Sequence, residues 1–181
     1  MPDDVKLGFA AFALPARGVL VVFCNDGLQL GPSTRSLLGD VADMVRKAAA
    51  AERFKGKLGS TLDIVLPNGL QASRLVVVGC GQASDLKGAD YVRLGGIAMG
   101  KVPSAVGDAT ILAELPGGAM KAEQAADVAL GTRLRAYSFD RYKTKPNEDD
   151  PKTGSAHVTI GVAEPGPHAR PGRRARLSPK A

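Results

Sequence analysis

Two unbroken apolar runs dominate the pattern along this chain. Val19-Leu20-Val21-Val22-Phe23 lies between Gly18 and Asn25-Asp26-Gly27, and Arg74-Leu75-Val76-Val77-Val78 runs into Gly79-Cys80-Gly81-Gln82. Neither run alternates with polar residues, so each predicts a strand covered on both faces. Such strands need one layer above the sheet and one below. Weaker strand signals fall at Lys6–Ala10, at Thr61–Leu66 before the Pro67-Asn68-Gly69 turn, and at Ala109–Leu115 before Pro116-Gly117-Gly118. His157–Ala163 predicts a last strand, with Val158, Ile160 and Val162 alternating against His157, Thr159 and Gly161.

Helical spacing fills the intervals. Gly31-Pro32-Ser33 opens a helix that Ser33 or Thr34 can cap, because a hydroxyl accepts a free first-turn N–H. Leu37, Val41, Met44 and Ala48 recur at helical spacing, and Leu38 and Val45 widen the stripe. The pattern predicts one helix to about Phe54, with Gly39 in its interior at a cost of up to ~1 kcal/mol. A second helix is predicted over about Asp85–Val102, weakened by Gly95-Gly96. A third, Lys121–Arg135, is rich in small residues, with Ala126, Leu130 and Leu134 on one face and Tyr137 continuing it. Alternating strands and helices give an α/β fold with a mostly parallel or mixed sheet covered on both sides.

Composition agrees with one globular domain. The chain has 181 residues, 44% hydrophobic and 23% charged, and a chain of that length buries roughly 70% of its unfolded surface without disulfides or metals. No apolar run reaches the ~18 residues of a membrane span. Met1-Pro2-Asp3-Asp4 offers neither the basic nor the apolar region of a secretory signal, so a cytoplasmic protein with two reduced thiols, Cys24 and Cys80, is expected. The net charge of +6 is concentrated at one end. Arg170, Arg173, Arg174, Arg176 and Lys180 fall in residues 165–181, which hold no acid; setting those five aside from the 24 basic residues leaves a near balance with the 18 acidic ones. Residues 164–181 carry too little apolar surface to order themselves and read as a disordered basic tail. Lys145–Ser155 reads as a polar loop.

Candidate chemistry is sparse. Gly79-Cys80-Gly81-Gln82-Ala83-Ser84 stands between a strand and a helix, the setting of a dinucleotide-binding turn, although Ser84 replaces the third glycine and no acid closes a second strand. A plain tight turn is the simpler reading. Gly95-Gly96-Ile97-Ala98-Met99-Gly100-Lys101-Val102 approaches a phosphate-binding loop, but Val102 lacks the hydroxyl a magnesium ion needs and the segment reads as helix, so close helix packing explains the glycines better. Cys80 at a helix N-terminus would be an activated thiol; buried structural thiols are the simpler reading of Cys80 and Cys24. Glu148-Asp149-Asp150 has cation-binding residues in a solvated loop. His157 and His168 are too few for a histidine metal site or a Ser-His-Asp triad. Tyr137-Ser138-Phe139-Asp140-Arg141-Tyr142-Lys143-Thr144 interleaves three aromatics with charge and is flanked by Arg133, Arg135 and Lys145. It suits either a nucleic-acid strip or amphipathic anchoring on the domain.

That last stretch, read from Gly131 to Thr144, resembles the end of the N-terminal domain of leucyl aminopeptidases, also called cytosol aminopeptidases. Leu75-Val76-Val77-Val78-Gly79-Cys80-Gly81 and Gly95-Gly96-Ile97-Ala98 are similar to the family's strand, glycine turn and next helix. The likeness covers about residues 5–163. It implies a three-layer α/β/α, macro-domain-like fold for residues 1–163. It also implies that catalysis lies elsewhere: the family's two zinc or manganese ions sit in a separate C-terminal domain, on a Lys, several Asp and a Glu of an Asn-Thr-Asp-Ala-Glu-Gly-Arg-Leu-type motif. No such motif occurs here, so no catalytic, cofactor-binding or metal-ligating residue is assigned and the chain is expected to be inactive alone. The implied partner is the catalytic domain of a hexameric enzyme. Beyond residue 164 the text turns to Pro, Arg, Gly and Ala, the residues of GC-rich codons, so an out-of-frame tail, from a reading-frame shift or a gene truncated near residue 165, is expected, with a native basic tail for nucleic acid as the competing reading. Two other functions stay open: nucleic-acid binding through the 133–145 cations and the tail, and ADP-ribose-type ligand binding by fold analogy.

Overall fold

A computed structural model describes residues 5–103, 106–141 and 156–166, without the side chains of 138–141. β1 (Lys6–Ala11) and β2 (Val19–Asn25) are followed by α1 (Pro32–Leu38) and α2 (Val41–Ala51), then β3 (Thr61–Val65) and β4 (Arg74–Gly81). After α3 (Gly88–Gly100) come β5 (Asp108–Leu112), a hairpin of β6 (Glu114–Leu115) and β7 (Gly118–Ala119), α4 (Ala122–Arg141) and β8 (His157–Val162). The main sheet has six strands in the order β1-β8-β5-β2-β4-β3. All neighbours are parallel except the edge strand β3, which runs antiparallel to β4. The sheet is mixed and three-layered, as expected.

The two apolar runs lie side by side near its centre, Val21 opposite Val76. Their alternate residues face opposite layers. Val19, Val21, Phe23, Val76 and Val78 pack with Tyr91 and Leu94 of α3 and Val128 of α4. Leu20, Val22, Leu75 and Val77 pack with Leu38, Val41 and Val45 of α1 and α2. Each fully buried Val or Leu of this kind contributes roughly 1.5–3 kcal/mol of transfer free energy, which is why the runs tolerate no polar residue.

Three sequence expectations need correction. The helix expected from Ser33 to Phe54 is two helices. Gly39 takes φ +53°, its N–H donates to the Arg35 carbonyl, and it ends α1 rather than weakening a helix interior; a glycine is favoured there because L side chains resist positive φ. Ser33 and Thr34 do not cap α1, whose N-cap is Gly31 and makes no side-chain cap bond. The strand expected over Ala109–Leu115 stops at Leu112. Glu114 and Leu115 leave the sheet for the small hairpin, closed by the Met120 N–H donating to the Ala113 carbonyl.

α3 and α4 cross at unusually short range. A Cβ at Gly95 would sit closer than 3.0 Å to the Val128 carbonyl oxygen, and one at Gly131 closer than 3.0 Å to that of Val92. Thr132 Oγ1 donates within the same crossing to Val128 O at 2.9 Å and lies 3.3 Å from Gly95 O. The Gly95-Gly96 pair is therefore a packing device, and the phosphate-loop likeness has no loop: Gly95–Gly100 are helix throughout. Ala126, Leu130 and Leu134 do share a face of α4 with Tyr137, but it is the outward one. Ala125, Val128, Ala129, Gly131 and Thr132 are the buried side, because only small residues permit the close approach.

The structure does not describe residues 142–155 or 167–181. The expected polar loop, most of the expected disordered tail, Glu148-Asp149-Asp150 and His168 lie outside the described residues.

Candidate functional site

In open α/β sheets ligands bind beyond the carboxyl ends of the strands, so a site is sought at that end. It is built by the loop after β2, the end of β4 and the β6–β7 hairpin. Asn25 organises the first: its side-chain oxygen accepts from the N–H groups of Gly27 (3.0 Å) and Gln29 (2.9 Å), and its amide donates to Gln29 Oε1 (2.9 Å). This clamp holds Leu28 at φ +58°. Gln82 reaches across from β4 and donates to Asp26 at 2.7 Å.

The glycines expected in a turn, Gly79 and Gly81, lie at the end of β4 itself, and their backbone groups are already occupied. The N–H of Gly79 donates to Ser60 O and that of Gly81 to Gly56 O, while Gly59 donates to Gly79 O. A Cβ at Gly79 would collide with the Lys57 carbonyl. The backbone groups a pyrophosphate would need are bonded to the 56–60 loop, and the glycines are there to let that loop lie against the strand. The dinucleotide likeness fails on this geometry.

The other anion-binding position, the start of α1, is filled from within. Glu114 is 1% exposed. Its two carboxylate oxygens accept from the N–H of Ser33 at 3.0 Å and of Thr34 at 2.6 Å. Gly31 lies so close that a Cβ there would strike the carboxyl group. Nothing in the sequence flagged Glu114; its one signal is a lone charge in the apolar run Ile111–Leu115. A phosphate-bearing ligand such as ADP-ribose would meet a fixed negative charge at this helix start, so the geometry gives that reading no support.

The cysteines are not catalytic in form. Cys24 points into the α1–α2 layer and Cys80 into the α3–α4 layer, both 1% exposed and free. Cys80 lies within β4, not at a helix N-terminus. Burial pushes the Cys24 thiol up to about 12 and the Cys80 thiol up to about 11. A thiol pKa raised by folding favours the native state fully below the ordinary value of 9.0 and loses that contribution as pH climbs toward the folded value. Stability is therefore expected to fall above about pH 9, by about 1.4 kcal/mol per thiol for each further pH unit. Urea midpoints at pH 7 and pH 10 check this, and a C24A/C80A chain should show a shallower decline.

A groove of about 310 Å³ lies beside Leu28, Leu30, Arg35, Val45, Arg46 and Pro116. It brings no acid–base pair together, and Arg46 stands 3.6 Å from Asp43. His157 is exposed at the opposite end of the sheet. Of the aromatic and basic strip, the side chains of Arg133, Arg135 and Tyr137 are described and exposed. Arg141, Lys143 and Lys145 yield no described side chain. Among the described residues no group of three or more His, Cys, Asp or Glu is arranged to hold a metal ion.

Sequence likeness decides which family this fold belongs to. The model of the cytosol aminopeptidase family, N-terminal domain, matches residues 21–146. The chain belongs to the cytosol aminopeptidase family. It is 51% identical over 165 residues to a probable cytosol aminopeptidase of Rhodopseudomonas palustris, covering 91% of this chain and 33% of that protein. A probable cytosol aminopeptidase of Afipia carboxidovorans is 49% identical over 164 residues, with the same two coverages. A mutant of tomato leucine aminopeptidase shares the fold with a TM-score of 0.67 at 17% identity, covering 92% of this chain and 34% of that one. The chain spans about one third of the length of the aminopeptidases it matches, and that third is the family's N-terminal domain. No described helix is long and apolar enough to cross a membrane.

Proposed function

We propose that this chain is the non-catalytic N-terminal domain of a cytoplasmic, metal-dependent leucyl aminopeptidase, an enzyme that removes N-terminal residues from peptides. The observation that carries the reading is the match itself: roughly half the residues are identical over one third of the relatives' length, and that third is the N-terminal domain. In the whole enzyme two zinc or manganese ions would activate a water and polarise the peptide carbonyl. The residues described here do not fit such a centre. The two thiols are buried on opposite faces of the sheet, and Glu114 is committed to the amides of α1. The metals and their ligands belong to the other two thirds of the enzyme, which is this domain's partner within a hexamer.

The test has two arms. The pure 181-residue chain, with zinc or manganese added, is expected to release no p-nitroaniline from leucyl p-nitroanilide; metal-dependent turnover by this chain would contradict the non-catalytic role. A chimera joining residues 1–163 to the remaining two thirds of the Rhodopseudomonas palustris relative is expected to hydrolyse the same substrate. A soluble but inactive chimera would count against the domain assignment.

A further inference from the structure

α4 has two apolar faces: among the described residues one packs inward, and the other is exposed. The inner face is made of small residues and closes on α3 and the sheet. The outer face carries Leu130, Leu134 and Tyr137, 49%, 54% and 63% exposed, with Ala126 exposed one turn earlier. Spacings of four, four and three residues put them in one stripe along the helix. A single exposed leucine needs no explanation, but three large apolar side chains in a row mark an interaction surface. Arg133 is exposed within the stripe, and among the described residues it pairs with no carboxylate.

The chemistry of the stripe narrows its occupant. Leucine side chains offer bases no π-face to stack on, so two of the three large residues are wasted on a nucleic acid. They suit an apolar protein surface, and the matched relatives carry twice as much chain again outside this third. Domains of one chain typically meet over roughly 600–1,500 Å² of such surface.

We propose that the outer stripe of α4 seats the remaining two thirds of the aminopeptidase, with an apolar patch against Leu130, Leu134 and Tyr137 and a carboxylate facing Arg133. This rests on the reading that the chain is the N-terminal domain of that enzyme. The surface is distinct from the second exposed apolar pair, Val65 and Leu66 at the end of edge strand β3.

Thiol labelling tests it, because Cys24 and Cys80 are buried and leave an introduced cysteine as the one fast site among the described residues. L130C and L66C are each made in the 181-residue chain and in the chimera, and maleimide uptake is read by mass spectrometry on the peptide holding the new cysteine. L130C is expected to label at least about tenfold more slowly in the chimera than in the short chain, while L66C labels alike in both. R133E in the active chimera is expected to restore part of the L130C labelling. Equal L130C rates in an active chimera overturn the surface and leave the domain assignment standing. An inactive chimera with no slowing at either position overturns both. Slowing of L130C in the short chain by duplex DNA, lost in R133E, would hand the stripe to nucleic acid instead.

Discussion

G131A is expected to lower the stability of this domain by about 3 kcal/mol or more, and its melting temperature by roughly 6–12 °C at 2–4 °C per kcal/mol for a chain of this size. Two effects oppose each other. Alanine is the better helix former by up to ~1 kcal/mol in a helix interior, so on an isolated α4 the change would stabilise. In the folded domain the new Cβ lands inside the carbonyl of Val92 and 3.0 Å from the amide nitrogen of Gly96. Both obstacles are backbone, so no rotamer change relieves the clash, and α3 must move away from α4. That movement pulls Tyr91, Leu94 and Ala98 off Val128 and Ala129, which together form much of the layer over Val21 and Val76. The steric term therefore wins. G117A has open space around its Cβ and no positive φ, so it should stay within about 0.5 kcal/mol of the parent. Thermal melts of the two variants beside the parent decide the matter. A G131A melt within a degree of the parent would mean that the helices part without loss.

The same crossing explains what the sequence could reveal and what it could not. β2 and β4 were legible because two-sided burial writes itself locally, as seven and eight consecutive residues with hardly a polar one among them. α4 was legible as a helix, but its orientation was not. Periodicity finds the face with the largest apolar side chains, here Leu130 and Leu134, whereas the buried face was chosen by how closely Gly131 lets two backbones approach. Gly39 misled for a related reason: a glycine that ends a helix and one that weakens its interior look identical in the text, and only the φ of +53° separates them. The nucleotide-turn alternative at Gly79–Ser84, for which a plain tight turn was the simpler reading, had the right strand context. It failed because the 56–60 loop, distant in sequence, takes its backbone groups.

Loss of Glu114 should cost at least as much as a disturbed helix crossing, and the residue acts at a distance no local pattern encodes. Its carboxylate joins the β6–β7 hairpin to the start of α1, 80 and 81 residues away. E114A leaves the N–H groups of Ser33, half-buried, and Thr34, buried, without their acceptor, at about 1–3 kcal/mol for each unsatisfied buried group and less where water reaches. It also removes the favourable charge at the positive end of a helix, worth up to ~2 kcal/mol when partly buried. A loss of about 3–5 kcal/mol is expected, within the range for stripping one partner from a buried charged contact. E114Q separates the two contributions. It keeps the shape and one oxygen acceptor, loses the charge, and turns an amide NH2 toward one of the two backbone donors, so it should fall between E114A and the parent. Urea unfolding gives the three stabilities, and hydrogen exchange at Thr34 and Arg35 locates the damage: α1 should open well before the β2–β4 pair does. If E114A unfolds at the parent's midpoint with α1 still protected, the carboxylate is not what holds the helix start. If E114Q equals the parent while E114A does not, the filled volume and one acceptor suffice, and the charge is dispensable.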